Sequence, residues 1–596
     1  MNKNSMISRK NLLNKIVLLK KRFGVSENYF LIFLAVLIGA LSALGNWGLR
    51  FSIEFFHEYI FVAGSALLGI GQGGWKFYLL PLLPMCGGLL LIPLEMAFPG
   101  YVCGYGLPNF LKTVNLGHGR LARRNIWLKI LAPAITIGSG GSAGQEGPIA
   151  TIGGAIGQMV AGFFSFNQAR IRLLIACGVA GGIAATFNAP IAGVFFALEI
   201  IMMGDIGLAI FTPVVISAAT SVVVTRLIFS EESLFAAPAF ALVSFWELFV
   251  YMAMGLVIGI LAAFFIRFFY FVQDLFAKLI FPRYLKPALG GLLVGMIGLF
   301  FPQVMGDVYE HMGHVFYHSP VWYMVLALVF MKMLATSICL GSGGAGGLFA
   351  PIMFMGVLIG QSCGQVASQL FPDLVLSPDG YAVVGLGAFL SAVTHAPLTA
   401  IFLAYELTGD SQIILPAMFA TVVGIMIARS IEREGIDTFG LAREGIHLED
   451  GREVNLLRSI KVGDVMFRGS LETISETMKL KSLLQFLPRS HKTTFPVVDA
   501  EGLLTGILSI QDLRELIYEE GLEDLIVAKE LARDKVLTVT AKENLDDAMQ
   551  KIGSRNIDYL PVVADDNPRR LVGMVSRQDI IAAYNRSILE RELPGH

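Results

Sequence analysis

Long stretches without a charged residue constrain this sequence more than any other feature. They include Tyr29–Leu49, Ile206–Thr225, Leu248–Ile266 and Ala288–Gly306. Each approaches the ~20 residues that an α-helix needs to cross the hydrocarbon core of a bilayer. The chain is 55% hydrophobic and only 15% charged, which is unusual for a soluble protein. The sequence therefore predicts an integral membrane protein that crosses the bilayer several times.

A further uncharged stretch, Met333–Pro372, is interrupted by the glycine-rich segment GSGGAGG at 341–347. A uniform spanning helix would not tolerate this segment well, because lipid offers no hydrogen-bond partner to backbone amides that leave the helix. We therefore expect helices that break inside the membrane at this point.

The membrane half contains two copies of one sequence unit. The segment GSGGSAGQEGP at 138–148 aligns with GSGGAGGLFAP at 341–351, and FNAPIAGVFFALEI at 187–200 aligns with THAPLTAIFLAYEL at 394–407. Duplicated membrane halves usually form a substrate site at their interface, between helices that break near the midplane. The sequence does not decide whether the two copies are parallel or inverted.

The first glycine-rich loop has the chemistry of an anion site. Glycine allows close approach of the backbone, and Pro148 suits the start of a helix because its missing N–H would be unpaired there. The free amides that follow form the positive end of a helix dipole, which attracts anions. Glu146 lies where such an anion would bind. A carboxylate that leaves the site when it is protonated would be both gate and proton carrier.

A structural interpretation of Glu146 stays open at this point. Glycine–proline loops between membrane helices are common, and an isolated acid beside one often caps a helix. The second copy of the loop and the lack of other charges around both copies favour the functional interpretation. Phe349 takes the place of Glu146 in the second copy.

These segments resemble the CLC family of chloride channels and chloride/proton antiporters. Where that family has Gly-Ser-Gly-Ile-Pro, Gly-Lys/Arg-Glu-Gly-Pro and Gly-x-Phe-x-Pro loops, this chain has GYGLP at 104–108, GQEGP at 144–148 and GLFAP at 347–351, in the same order. The resemblance extends over about residues 30 to 430. It implies a multi-span all-α membrane domain of two inverted repeats, a homodimer with one ion pathway in each subunit, and helix N-termini directed at chloride.

The same resemblance assigns site residues. Glu146 corresponds to the gating and proton-carrying glutamate of the family. The residues that match the anion-binding loops are Tyr105, Gly106, Gly144, Gly147, Gly347, Leu348, Phe349 and Ala350.

Several positions depart from the family pattern, among them Gln145, which replaces the usual base beside Glu146. Tyr105 replaces a serine that donates to the central anion; its hydroxyl could face the ion, its ring could plug the site, or it could point away. Ile200 stands where family antiporters often have an internal glutamate, and the preceding Glu199 is interpreted as structural, at a dimer or cytoplasmic interface. The pore-lining tyrosine has no clear counterpart, since Asp437 is nearest and Phe439 is a shifted alternative.

The C-terminal part contains a second repeat. The segments FPVVDAEGLLTGILSIQDL at 495–513 and LPVVADDNPRRLVGMVSRQDI at 560–580 each read strand, turn, strand and helix. They resemble a tandem pair of CBS domains, a cytoplasmic α/β module that commonly dimerises and can bind adenine nucleotides. The resemblance implies nucleotide contacts for four residues that helix capping explains equally well. These residues are Ser509, Asp512, Ser576 and Asp579.

The N-terminus is rich in Lys and Arg before its first acid, Glu27, so the positive-inside rule places it in the cytoplasm. Composition becomes polar after about Arg429. We expect a basic segment at 1–28, a transport domain at 29–429, a linker at 430–455, CBS domains at 456–522 and 523–590, and a tail at 591–596.

The leading functional hypothesis is anion transport gated by Glu146, with chloride/proton exchange favoured over a passive, voltage-gated type of chloride channel. A membrane-embedded enzyme with Glu146 as general base has no accompanying metal cluster or nucleophile–base pair, and a non-conducting sensor is the third alternative. We expect a lipid bilayer, chloride and protons as partners, and neither a nucleic acid nor a required cofactor. The preferred anion stays open, because Tyr105 replaces the residue from which selectivity is inferred.

Overall fold

The structure is a computed structural model that divides into two compact units, Met1–Leu448 and Glu449–His596. The basic segment before Glu27 and the side chain of Asp512 lie outside the described residues. The described residues are 27–70, 74–115, 121, 124–164, 166–204, 207–229, 244–306, 308–309, 311–313, 321–373, 375, 379–446, 457, 460–467, 469, 471–487, 490, 492–513, 524–533, 536–555 and 557–592.

The first unit is built from helices over its described residues. Single π-helical turns at His57–Val62 and Ala197–Ile201 continue two of them. The helices are α1 Glu27–Phe56, α2 Ala63–Leu68, α3 Leu82–Leu90, α4 Ile92–Ala97, α5 Leu107–Asn115, α6 Arg124–Gly138, α7 Glu146–Ala161, α8 Gln168–Phe187, α9 Pro190–Phe196, α10 Leu208–Phe229, α11 Glu247–Lys278, α12 Lys286–Gly298, α13 Trp322–Gly341, α14 Phe349–Leu370, α15 Asp379–Thr394, α16 Pro397–Thr408, α17 Ile414–Ile431 and α18 Ile436–Arg443.

Within the described residues, 8 helical segments are long and apolar enough to cross a bilayer. Three of the four uncharged stretches named above fall in such segments, but Ala288–Gly306 does not. Only its part up to Gly298 is helical in α12, which has 13 residues and spans about 20 Å at the rise of an α-helix. The helix ends at Gly298, and a separate 3-10 turn begins at Pro302. The segments are Tyr29–Leu68, Gly74–Ala97, Gln168–Phe187, Leu208–Ile228, Glu247–Lys278, Trp322–Gly341, Phe349–Leu370 and Ser411–Arg443.

The two sequence copies fold alike at their glycine-rich loops. Gly140 and Gly343 take positive φ angles of 98° and 110°, a conformation that glycine adopts without strain. In each copy a serine just before that glycine, Ser139 or Ser342, donates its hydroxyl to the carbonyl three residues earlier, at 3.0 Å and 2.9 Å. The chain therefore leaves α6 and α13 by the same turn.

Glycines also set the packing of the helices that follow these loops. A Cβ on Gly178 of α8 would overlap the backbone of Gly153 in α7, and the reverse also holds. The second copy repeats this reciprocal contact between Gly356 of α14 and Gly385 of α15. Small residues at such crossings let membrane helices approach closely and gain van der Waals contact. The helix pair α7 and α8 and the equivalent pair α14 and α15 are therefore packed through the same kind of glycine contact.

The second unit contains two copies of a small mixed sheet. In the first sheet the order is β1-β2-β3, and in the second it is β4-β5-β6. In each sheet the first pair of strands is parallel and the second pair is antiparallel. The strands are β1 Ile474–Ser475, β2 Thr494–Val498, β3 Leu504–Ser509, β4 Val539–Thr540, β5 Tyr559–Ala564 and β6 Asn567–Ser576, and the helices are α19 Val462–Val465, α20 Leu480–Phe486, α21 Ala528–Leu531, α22 Leu545–Arg555 and α23 Arg577–Glu592.

Register confirms the repeat in this unit. Phe495 of β2 lies opposite Leu508 of β3, and Leu560 of β5 lies opposite Val575 of β6. All four side chains are fully buried. Each copy thus buries one face of its sheet in its own core.

The glycine contact between α7 and α8 gives a stability prediction. Gly178→Ala should destabilise the first unit by about 1–3 kcal/mol, the usual cost of overpacking, because the new methyl group meets backbone that has no rotamer to change. Gly48→Ala in α1 is the matched control, since its Cβ would lie 3.9 Å from Ile130 Cδ1, an ordinary contact. Thermal unfolding of the detergent-solubilised variants measures both, and equal losses would contradict the prediction.

Candidate functional site

The main chains of the two glycine-rich loops pair with each other. The N–H of Gly144 donates to the C=O of Gly347 (2.8 Å), and the N–H of Gly347 donates to the C=O of Gly144 (2.7 Å). Tyr105 of the first signature segment forms a further bridge with Gly346. The loops thereby bring the first turns of α5, α7 and α14 to the wall of one cavity. The N–H groups of these turns have no partner within their own helices.

Glu146 is fully buried at the start of α7. The N–H of Ala350, in the first turn of α14, donates to its Oε2 at 3.1 Å. The hydroxyl of Tyr309 donates to its Oε1. The carboxylate therefore takes a backbone donor at the positive end of a helix dipole, where a free anion would bind.

The cavity wall includes five of the nine residues that the signature segments predicted. The N–H groups of Gly144 and Gly347 are used in the pairing of the loops, and Gly106 lies beside the ammonium group of Lys129, whose Nζ is 3.0 Å from the position a Cβ would take. The cavity is lined by Tyr105, Leu107, Glu146, Gly147, Phe196, Leu348, Phe349, Ile352, Thr394 and Asp437.

Tyr105 lines the cavity and does not point away from it. Its ring meets that of Phe269 edge-on, with centroids 5.9 Å apart. Its hydroxyl donates to Oδ1 of Asp437, which is only 4% exposed in the first turn of α18. The hydroxyl proton of Tyr105 is thus used in a hydrogen bond to a carboxylate of the chain.

Asp437, rather than Phe439, occupies the cavity wall in the last helix of the first unit. The ring of Phe439 packs on Tyr270, with centroids 4.8 Å apart. The Tyr270 hydroxyl in turn donates to the C=O of Ile436 at 2.8 Å. These contacts hold α18 in a range that composition suggested as linker, because Ile436 and Leu441 are buried apolar anchors within an otherwise polar segment.

The two acids at equivalent positions of the repeats, Glu199 and Glu406, cap helices of the opposite repeat. Glu199 accepts from the N–H groups of Leu398 and Thr399 at the start of α16, at 2.8 Å and 2.7 Å. Glu406 accepts from the N–H groups at the start of α9, at 2.9 Å and 2.7 Å. Glu199 therefore joins the two repeats of one chain, which agrees with the structural interpretation of this acid.

Neither Tyr309 nor the reciprocal caps could be read from a motif. Tyr309 lies 163 residues from Glu146 in sequence, in a short segment that carries no spacing signal. The caps had a signal, since the two acids align between the copies, but alignment alone does not say that each acid reaches across to the other repeat.

The second unit has its own cavity. Ser576 donates its hydroxyl to Asp579 Oδ2 at 2.6 Å and accepts from the N–H of Asp579 at 3.0 Å, so these residues cap α23 while they line the cavity. Ser509 ends β3 and donates weakly to the C=O of Thr493 at 3.4 Å. The cavity is lined by Phe467, Leu471, Glu472, Lys492, Thr494, Pro496, Tyr559, Met574, Ser576, Gln578 and Asp579.

Comparison with known proteins identifies both units. A family model described as voltage gated chloride channel matches residues 87–429, and a CBS domain model matches residues 462–519 and 528–586. The chain is 32% identical over 417 residues to a putative chloride channel protein ClcB-like of Ralstonia nicotianae, covering 69% of this chain and 96% of that protein. It is 30% identical over 415 residues to the H(+)/Cl(-) exchange transporter ClcA of Vibrio vulnificus, covering 67% and 86%.

A solved structure gives the same answer for the fold. The crystal structure of a slow cyanobacterial Cl-/H+ antiporter is 25% identical in sequence, has a TM-score of 0.63, and covers 70% of this chain and 97% of that one. These similarities confirm the predicted fold class, a multi-span all-α membrane domain of two inverted repeats followed by an α/β CBS pair.

The reciprocal caps give a second stability prediction. Glu199→Ala should lower the free energy of unfolding by about 1–3 kcal/mol, because it leaves two partly buried N–H groups of α16 without an acceptor. Glu444→Ala is the control: this exposed acid pairs with Lys112 at 2.6 Å, and exposed pairs contribute only ~0–1 kcal/mol. Thermal unfolding in detergent compares the variants. A Glu199→Ala protein as stable as the control would show that this cap does not contribute to stability.

Proposed function

Because the chain belongs to the voltage-gated chloride channel family, known as the CLC family, we propose that it exchanges chloride for protons across a membrane, with Glu146 as gate and proton carrier. One observation carries the proposal: the carboxylate of Glu146 accepts a hydrogen bond from the N–H of Ala350, at the positive end of α14. The exchange transporters among its relatives favour coupled exchange over passive conduction. They also favour transport over an enzyme or a non-conducting sensor.

The gating step follows from competition for one set of donors. While Glu146 is ionised, its carboxylate holds the Ala350 N–H by a charge-assisted hydrogen bond. Protonation removes the charge that the helix dipole attracts, so the neutral side chain binds the amide more weakly and moves aside. Chloride then takes the vacated amide. When chloride leaves, the side chain gives up its proton and returns.

Coupling is a consequence of this competition. The anion and the charged carboxylate exclude each other at the same amides, so chloride binding favours the protonated form of Glu146 and protonation favours chloride binding. Tyr309 supports the closed form, because its hydroxyl donates to the charged carboxylate. The chemistry needs no cofactor, and chloride is the transported substrate.

Two further features of the protein belong to the same proposal. The chain forms a homodimer with one pathway in each subunit, as is typical of the family. Its N-terminus and its CBS pair lie in the cytoplasm, which is supported by the basic residues that precede Glu27.

We also propose that the CBS pair binds an adenine nucleotide and thereby regulates transport. The cavity that supports this combines a hydroxyl and an acid suited to ribose, Ser576 and Asp579, with a cation suited to phosphate, Lys492. Lys492 already lies 4.7 Å from the ring centroid of Phe467 on the same wall. The apolar part of the cavity offers the base a surface to stack on.

Replacing Glu146 tests the exchange proposal. In Glu146→Gln the amide keeps the size of the side chain but cannot be protonated and deprotonated, so uphill proton movement driven by a chloride gradient should be abolished while chloride flux persists. Proteoliposomes with a chloride electrode and a pH electrode measure both fluxes. Glu444→Gln, an exposed acid, should behave like the wild type. Proton movement at the wild-type rate in Glu146→Gln would refute the proposal.

Replacing Lys492 tests the nucleotide proposal. Lys492→Ala should weaken binding of ATP to the full-length protein by about tenfold, which corresponds to the loss of one charge-assisted contact of ~1.4 kcal/mol. Isothermal titration calorimetry in detergent measures the affinity. Lys542→Ala is a matched control, because Lys542 is exposed outside this cavity and pairs with Asp565. Equal ATP affinities in the two variants would count against this cavity as the site.

A further inference from the structure

The transport cavity has two carboxyl groups on its wall, and the proposed cycle uses only one of them. Glu146 and Asp437 come from α7 and α18, and both line the cavity together with Tyr105. Asp437 is nearly as inaccessible as Glu146, with exposed fractions of 4% and 0%. A buried acid in a membrane protein is costly to retain and generally serves the transported ion or the proton.

The hydrogen bond between Tyr105 and Asp437 depends on whether Asp437 is charged. A tyrosine hydroxyl has one proton to donate, and here it is donated to Oδ1 of Asp437. A charged carboxylate is a stronger acceptor than a neutral carboxyl group, so ionised Asp437 keeps the hydrogen bond from Tyr105 and also repels an approaching anion. Protonated Asp437 does neither, and the Tyr105 hydroxyl is then free to donate to chloride.

We propose that Asp437 is a second proton-binding group of the transport cycle and that, through Tyr105, it decides whether chloride is accepted at this end of the cavity. The inference rests on the proposed exchange function. It supplies a titratable acid on the chloride pathway of a chain in which the buried Ile200 cannot carry a proton. The proton that leaves Glu146 is taken up by Asp437: one O–H bond breaks at the first carboxyl group and one forms at the second, with no further reactant.

The surroundings of α18 are consistent with a switch at its first turn. Groups near the far end of this helix already have partners, since Lys112 of α5 pairs with Glu444 and Asp274 of α11 pairs with Arg443. Among the described residues, no Lys, Arg or His forms an ion pair with Asp437. The titratable groups that face the first turn of α18 are Tyr105 from the loop before α5, Tyr270 from α11, His395 after α15, which lies beside Gly435, and Glu434, which accepts from Thr438.

The first test is transport by Asp437→Asn in proteoliposomes. Asparagine keeps the shape and an acceptor for Tyr105 but cannot be ionised. We expect proton movement to fall by at least about tenfold, that is by ~1.4 kcal/mol or more, while chloride flux persists. The matched control is Asp274→Asn, an exposed acid that contacts the same helix, and it should move protons like the wild type. Wild-type proton coupling in Asp437→Asn would overturn the inference.

The second test does not depend on transport. In the Glu146→Gln background, chloride affinity measured by isothermal titration calorimetry should rise by about tenfold from alkaline to acidic pH, because protonation of Asp437 frees Tyr105 and removes a negative charge. The double variant Glu146→Gln, Asp437→Asn should bind chloride equally at both pH values. The inference would be overturned if the chloride affinity of Glu146→Gln did not depend on pH, or if the double variant kept the same pH dependence.

The two proposals fail in different ways. If the wild type moves no protons under a chloride gradient, or if Glu146→Gln still does, the exchange function itself is refuted. If both behave as proposed and Asp437→Asn still couples protons like the wild type, only the role of Asp437 is refuted.

Discussion

The pairing of two glycine-rich loops is the constraint on which the transport domain depends. Lipid cannot satisfy a backbone amide, so a helix that breaks inside the membrane must find partners for its freed groups within the protein. Gly144 and Gly347 provide them for each other through two mutual hydrogen bonds. Glycine is required at both positions: a Cβ on Gly347 would lie 2.8 Å from the backbone nitrogen of Gly147 in the other repeat, and a Cβ on Gly144 would overlap Oε2 of Glu146. The amides beyond this pair, at the start of α7 and α14, remain available, and they create a polar site where lipid would offer none.

The two repeats differ at the proposed transport site but are alike in the contacts that stabilise the fold. The glycine crossings of α7 on α8 and of α14 on α15 are the same in both halves, and so are the acid caps of Glu199 and Glu406. At the site, one repeat has Glu146 and the other has Phe349. A two-fold pair of acids would place two negative charges on one set of amides and repel both each other and the anion. A single acid opposite a ring leaves one position, for which chloride and the carboxylate compete in the proposed cycle.

Much of the fold and part of the site could be predicted from the sequence, because repeats, glycine loops and uncharged stretches are local patterns. The starts of α7 and α14 and the two CBS copies are of this kind. Long-range contacts were not predictable: nothing near Tyr309 indicates that its hydroxyl reaches Glu146. The helix α18 was not predicted for a related reason, since its few buried anchors lie in a segment whose composition is polar, and its position is fixed by contacts with residues distant in sequence, such as Tyr270 and Tyr105. The short α12 shows the opposite error, because apolarity without charge does not guarantee a helix long enough to span.

Two hydrogen-bond donors at this cavity are held by acids of the chain. Glu146 takes the N–H of Ala350, and Asp437 takes the hydroxyl of Tyr105. Two carboxylates in one small, buried cavity repel each other, and the repulsion is stronger there than in bulk water. Their titrations are therefore coupled: a proton on one acid makes a proton on the other less favourable. An anion that displaces either carboxylate reverses this preference, because its own charge then favours protons on both. In the proposed cycle, this arrangement links one anion to the protonation of two acids.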